Sequence, residues 1–397
     1  MEGRKLTYED RKKLYIDAVT WNKPKRVLMD MGGMTGWFQA DAGYSLVEAA
    51  RDYEINKKCI EHFLATYNVD NFGNAFRFRF RLTDPLRKGT SNLGVTDETI
   101  NSGNVNAILE NLMSVSDLDA YKENSQKVLW ETVFFNAFPN AKNMTPQELA
   151  EAAKELVQFR EEAAKSREEM REKYGLLFPY PDVVAVTPFV HELFYKYLGI
   201  KGLSVALRRT PQKIHDICDY FDEKQVAAAL ARLDSLPDGP TAGIKSHYDA
   251  GMGTSESAVL NRKQIERLLL KTWKPVMDKL QEKQKITHFG IEGSFINSVL
   301  GEFLSEYDYV SVPVEMDDPY EIRKKFPKLT IRGGLSVDVM GHSTPEKCVD
   351  MAKRAIDELG RDGGLIMGTN KFVTYDYDMN AENLKAVCDF VTSYEIN

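Results

Sequence analysis

Cysteine is scarce in this 397-residue chain, and the four that occur, Cys59, Cys218, Cys348 and Cys388, stand far apart with no CxxC pair. That usage gives neither a disulfide framework nor a thiolate zinc site, and it fits a reducing cytoplasm. Long apolar runs are missing as well. No window approaches the ~20 apolar residues that span a bilayer, and the charged opening MEGRKLTYEDRKKLY has no apolar signal core. Positive charge is not in excess either. Against 59 Asp and Glu there are 52 Lys and Arg, a net charge of -7, so no global attraction draws the chain to nucleic acid or to an anionic membrane. A soluble cytoplasmic protein with neither of those partners is the expectation.

What is present is a repeating strand-then-helix rhythm. Apolar runs at Arg26 to Met31, Asp182 to Pro188, Asp308 to Val314, Leu329 to Leu335 and Gly364 to Met367 read as buried strands, most of them followed by helical periodicity. Alternation of this kind makes a parallel sheet, and its repetition over this length predicts a (β/α)8 TIM barrel in one domain, residues 1–397, with an N-terminal helical extension and inserted helices. One helical insertion falls near 144–175, where Glu and Lys or Arg recur three or four apart and Leu149, Ala152, Leu156 and Phe159 make an apolar stripe.

Several stretches carry candidate chemistry. In Lys285 to Leu300 an apolar strand breaks into His288, Gly290, Glu292, Gly293 and Ser294, as where a strand delivers side chains to a pocket. Residues 76–81, FRFRFR, alternate strictly, so Arg79 either holds a carboxylate or belongs to a solvated cationic face. Residues 243–257 read as an irregular loop in which His247, Tyr248 and Asp249 suit proton transfer or substrate contact. His191 lies just past a strand end, as a pocket residue or a helix-surface one.

The last units resemble the carboxy-terminal half of the uroporphyrinogen decarboxylase superfamily: KLTIRGGL at 328–335, GHSTPEK from Gly341, the helix Cys348 to Leu359, GGLIMG from Gly363, and Asn380 to Ala386. Upstream, Thr187 to Phe189, Tyr197 to Gly202, Arg209 to Lys213 and Pro24 to Val27 are similar to its middle and start, while Asp84 to Lys142 and the charged helix after it match poorly. The resemblance implies a barrel with its site at the carboxy-terminal ends of the strands. True uroporphyrinogen decarboxylases carry an arginine-containing loop after the first strand. Here that loop, Met31 to Trp37, has none, which speaks against a tetracarboxylate substrate. The other branch passes methyl groups to or from a corrinoid (cobalamin) carried by a partner protein. Its thiol-activating members bind zinc through a histidine and two cysteines. This chain keeps His288, but Gly290 and the turn Gly368 to Asn370 stand where the cysteines would be.

The resemblance therefore points to the methyl-removing half of such a system, an O-demethylase type of cobalamin-dependent methyltransferase acting on a small methylated, methoxylated or aromatic compound. A methyl ether has a poor leaving group, so an acid is needed in a dry pocket. Glu292 with His288, aided by His247, is the expected catalytic set, and the same pair could hold a metal as Lewis acid. Asp30, Met31, Trp37, Arg79, Phe189, His191, Tyr248 and Asn370 are the expected substrate contacts. Zinc stays a candidate although the family cysteines are absent. The spacing Glu306, Glu321, His342 matches an E-x14-E-x20-H pattern of corrinoid-dependent O-demethylases and serves first as a family marker, then as an alternative ligand set. A decarboxylase of a small acid, with Arg79 and Asp30 as contacts, and an inactive binding barrel are the alternatives.

Overall fold

The computed structural model describes residues 6–34, 36–72 and 111–396. Among the described residues seven strands, β1 (Leu28–Asp30), β2 (Val184–Ala185), β3 (Ala250–Thr254), β4 (Thr287–Ile291), β5 (Val310–Pro313), β6 (Thr330–Leu335) and β7 (Leu365–Thr369), form one parallel sheet in the order β1-β7-β6-β5-β4-β3-β2. Because the last strand pairs with the first, the sheet curls round. On the other edge of β1, residues 69–72 take the place of a further strand: the Asp70 amide donates to the Met29 carbonyl at 2.8 Å and the Met31 amide to that of Asn71 at 2.9 Å. The architecture is the α/β barrel, (β/α)8 in type, with inserted helices.

Strand periodicity divides the side chains between helix shell and barrel interior. On β4, Thr287, Phe289 and Ile291 are buried outward, and Phe289 meets Trp273 edge-on at 4.8 Å. Burying such a phenylalanine stabilises the wall by about 1.5–3 kcal/mol. Residues 243–257 are not one irregular loop. Part of the segment is β3, whose sequence AGMGT hides its strand character because two of its five residues are glycine.

The first helix, α1 (Tyr8–Val19), closes the N-terminal end of the barrel. Thr7 and Asp10 cap it reciprocally. Its Tyr15, Ala18 and Val19 pack with Leu28, Leu177, Ile286 and Ile366 at the strand starts, and Lys12 Nζ donates to the carbonyls of Ile244 and Lys245 at 3.2 and 3.0 Å. Asp70 locks this end. Its carboxylate accepts from Arg11 Nε at 2.8 Å, from both terminal nitrogens of Arg26 at 2.7 Å, and from the Met29 amide at 2.9 Å. A second buried pair, Lys285 with Asp249 at 3.1 Å, ties the loop before β3 to the start of β4.

The charged insertion forms one long helix, Pro146–Tyr174, opened by a Thr145/Glu148 capping box and closed by Gly175 in the left-handed region. Among the described residues no helix is long and apolar enough to cross a membrane.

Candidate functional site

The barrel interior is accessible above its floor. Along β3 and β4 every second position is accessible, Gly251, Gly253, His288 and Gly290, and Ala185 on β2 is exposed, although all lie in the wall of a packed barrel. These positions face the lumen, and small residues hold most of them. A Cβ built on Gly290 would meet the Met252 carbonyl at 3.7 Å, an ordinary contact, so a side chain can start there without a clash, whereas one on Gly253 would sit 2.8 Å from the Gly290 carbonyl. With α1 filling the N-terminal end, the cup opens at the C-terminal ends of the strands, where barrels of this type place their sites.

Polar side chains make the floor. His288 Nδ1 lies 3.3 Å from the Tyr15 hydroxyl, which is 3.1 Å from Ser311 Oγ, and the Tyr248 ring stacks on the imidazole at 4.7 Å. Beside them stand Asp30 at the end of β1 and Arg332 in mid-β6. Asp30 Oδ1 accepts from the Gly32 amide at 2.7 Å and from Asn71 Nδ2 at 3.1 Å. Burial pushes the Asp30 carboxyl above the ordinary carboxylate range, against the opposing pull of the Arg332 guanidinium.

Ionisable groups also ring the mouth. His191 Nδ1 is 2.9 Å from Oε2 of Glu256, a fully buried carboxylate. Tyr195, one turn on within a π-helical stretch, packs against the His191 ring at 4.6 Å and donates to Glu292 Oε2 at 3.4 Å. Burial pushes the Tyr195 hydroxyl up to about 12, so it keeps its proton at neutral pH. The Gly293 amide donates to Glu315 Oε2 at 2.6 Å, and Asn370 spans the gap to β6 by accepting from the Val337 amide at 3.0 Å and donating to the Glu315 carbonyl at 3.4 Å.

The sequence-derived set divides between these levels. His288 and Glu292 point to the same side of β4 but do not form one cluster. Four residues of strand rise ~13 Å, so His288 lies on the floor and Glu292 is exposed at the rim. Asp30 and Tyr248 join the floor, and His191 and Asn370 the rim. Met31, Trp37 and Phe189 are buried in the hydrophobic core and line no part of the cup. The Trp37 indole donates to the Met379 carbonyl at 2.6 Å, and Phe189 stacks on Phe221 at 4.4 Å. Asp249 serves its ion pair with Lys285, and Arg79 lies outside the described residues.

Neither metal set is assembled. Glu306, Glu321 and His342 are all exposed, Glu321 pairs with Lys324 at 2.6 Å, and no group of three metal-ligating side chains occurs among the described residues. All four cysteines are packed in the core. A thiolate zinc site does not fit this cup.

His247 is buried beneath the floor, edge-on to Tyr15 at 4.7 Å and to Tyr248 at 4.8 Å. Burial, helped by nearby Lys12, drives its pKa down to about 3, so it stays neutral and cannot shuttle protons at physiological pH. A histidine held neutral in the fold but protonated when unfolded contributes stability that is complete above ~6.5 and is lost as pH falls from there toward 3. A His247→Phe protein should therefore lose less thermal stability than the wild type between pH 7 and pH 5, measured by calorimetry.

Sequence reasoning passed over Arg332, Tyr15 and Glu256. Arg332 carried a readable signal, as the one charged residue inside the buried-strand pattern TIRGGL. Tyr15 and Glu256 reach the site only through the tertiary fold.

No protein-family model matches the sequence, and no curated protein does. Among solved structures, the fold is similar to that of a methyltransferase from Methanosarcina mazei. The match covers 96% of this chain and 98% of that one, with a TM-score of 0.56 and 13% identity, and at that identity it speaks to the fold alone. A uronate isomerase from Bacillus halodurans C-125 aligns over 98% of this chain and 87% of its own at 12% identity, but its TM-score of 0.29 carries no argument.

Proposed function

We propose that this protein is a cytoplasmic methyltransferase component that takes a methyl group from a small methylated, most simply methoxylated, compound and passes it to a corrinoid carried by a partner protein. The observation that carries this reading is the accessible cup: a barrel interior left open at Ala185, Gly251 and Gly290, with a polar floor and a proton-bearing rim. Likeness in fold to a methyltransferase over 96% of the chain supports it, and so does the sequence resemblance described above.

When bound at the mouth, the reduced corrinoid supplies the nucleophile that accepts the methyl carbon. The chain's own residues do the rest. The floor holds the non-methylated end of the substrate and turns the methyl group outward. Tyr195 and Glu292, joined by a hydrogen bond at the rim, stand where the carbon–oxygen bond breaks and deliver the proton that the leaving oxygen needs. The partner would settle on the apolar rim formed by Met316, Phe372 and the stacked pair Tyr375 and Tyr377, of which Met316, Phe372 and Tyr377 are 75%, 51% and 60% exposed. No step is assigned to zinc, because the donors of this cup do not make a zinc site.

The test is to incubate the purified protein with Co(I) cobalamin and a panel of methoxylated compounds. Methylcobalamin should accumulate with at least one donor. Release of carbon dioxide without methylcobalamin would favour the decarboxylase, and neither product would favour a binding barrel.

A further inference from the structure

Among the described residues, Arg323 and Arg332 both leave a buried Nε without a partner, but they differ at their terminal nitrogens. Arg323 gives its terminal nitrogens to the carbonyls of Pro327, Leu329, Leu359 and Gly364 at 2.6–3.3 Å, and Arg11 and Arg26 both clasp Asp70. Arg332 is different. One hydrogen bond is made by its five donors, from Nη2 to the Phe289 carbonyl at 2.8 Å, while its Nε is buried without a partner and it has no ion pair among the described residues. Alternation on β6 turns it toward the lumen, between Ile331 and Gly333, and part of its surface remains reachable there. The carboxylate nearest in character, Asp30, is already engaged by Gly32 and Asn71 and is shifted by burial toward its neutral form.

A guanidinium deep in a protein with most of its donors unused carries a large desolvation cost, which a planar oxyanion offering two oxygens would offset. From this we infer that Arg332 anchors a carboxylate of the substrate at the floor of the cup, so that the methyl donor is a small methylated monocarboxylate. Among the described residues Arg332 is the cation at this site, which suits a single negative charge. The Tyr15 and Tyr248 rings beside it suit a flat or apolar body above the carboxylate. The inference rests on the methyl-transfer reading for what happens at the other end of the substrate, but the anchor itself is independent of that chemistry.

Binding and turnover can be separated. Without any corrinoid, calorimetric titration of the wild type with 4-methoxybenzoate, methoxyacetate and their primary amides should show each carboxylate bound about 10- to 100-fold more tightly than its amide, the range of a charge-assisted pair. In Arg332→Gln that preference should vanish through loss of carboxylate affinity alone, and in Arg332→Lys it should survive in part, because lysine keeps the charge but not the fork. The Gln protein should be at least as thermally stable as the wild type, since it removes an under-satisfied buried cation. Equal binding of acid and amide by the wild type, no binding of either carboxylate, or undiminished carboxylate preference in Arg332→Gln would overturn the anchor. Should the Gln protein fail to fold, the wild-type comparison of acid with amide decides alone. Selective carboxylate binding with no methyl passed to Co(I) cobalamin would leave the anchor standing and remove the methyl-transfer reading.

Discussion

A Gly290→Phe protein is expected to fold and to lose methyl transfer by ~100-fold or more, the scale on which a misplaced substrate costs rate. Gly290 sits midway between floor and rim on the lumen side of β4, its backbone is ordinary strand, and a side chain can start there without a clash. An aromatic residue suits a strand, so its conformation need not suffer. The ring would occupy the volume between Arg332 below and Glu292 above. Unfolding by denaturant should be little changed while substrate binding disappears. The partner substitution makes the contrast: Gly253→Ala adds only one carbon, but it lands 2.8 Å from the Gly290 carbonyl and should cost about 1–3 kcal/mol of stability by overpacking. A large side chain tolerated at one glycine and a methyl resisted at its neighbour would establish that the cup is empty where β4 faces it and tight where β3 and β4 touch.

The second large effect lies far from the mouth. Asp70→Asn should destabilise the fold by ~3–5 kcal/mol in denaturant titrations, because Arg11 and Arg26, 6% and 12% exposed, would be left as buried charges without their carboxylate. The same carboxylate sets an acid limit. Burial alone would raise its pKa, but the two guanidinium groups and the Met29 amide outweigh burial and hold it below the ordinary carboxylate range. A carboxyl depressed in the folded state contributes stability that is complete above its unfolded pKa of ~3.9 and is lost as pH falls through the lower folded value. The wild type should therefore lose stability on acidification below ~4, and Asp70→Asn should lack that part of the acid dependence.

The barrel was readable in the chain because its outward faces are written in apolar residues at strand spacing: Leu329 to Leu335 and Asp308 to Val314 each contain the strand found there. β3 was hidden by its glycines. Gly251, which leaves the lumen side of the strand bare, and Gly253, which lets the β3 and β4 backbones approach, remove the pattern by which strands are recognised. The site was half readable. His288, Asp30 and Tyr248 do meet on the floor, yet pairing His288 with Glu292 treated a four-residue spacing as proximity, which holds on a helix and fails on a strand. Met31, Trp37 and Phe189 looked like pocket walls by type, but apolar residues beside a site are as well suited to the core, and there the structure puts them. Arg332 is a single charge in TIRGGL and makes no pattern, whereas the arginines of FRFRFR, outside the described residues, alternate conspicuously.

The central claim is that a methyl group leaves a donor held in this cup and arrives on a corrinoid. It is tested most directly by a single turnover with donors such as 4-methoxybenzoate labelled with carbon-13 in the methyl group, the purified protein and Co(I) cobalamin, followed by nuclear magnetic resonance. The label should appear on cobalamin in the wild type and remain on the donor in Gly290→Phe. A label that stays with the aromatic product while carbon dioxide is released would contradict the claim.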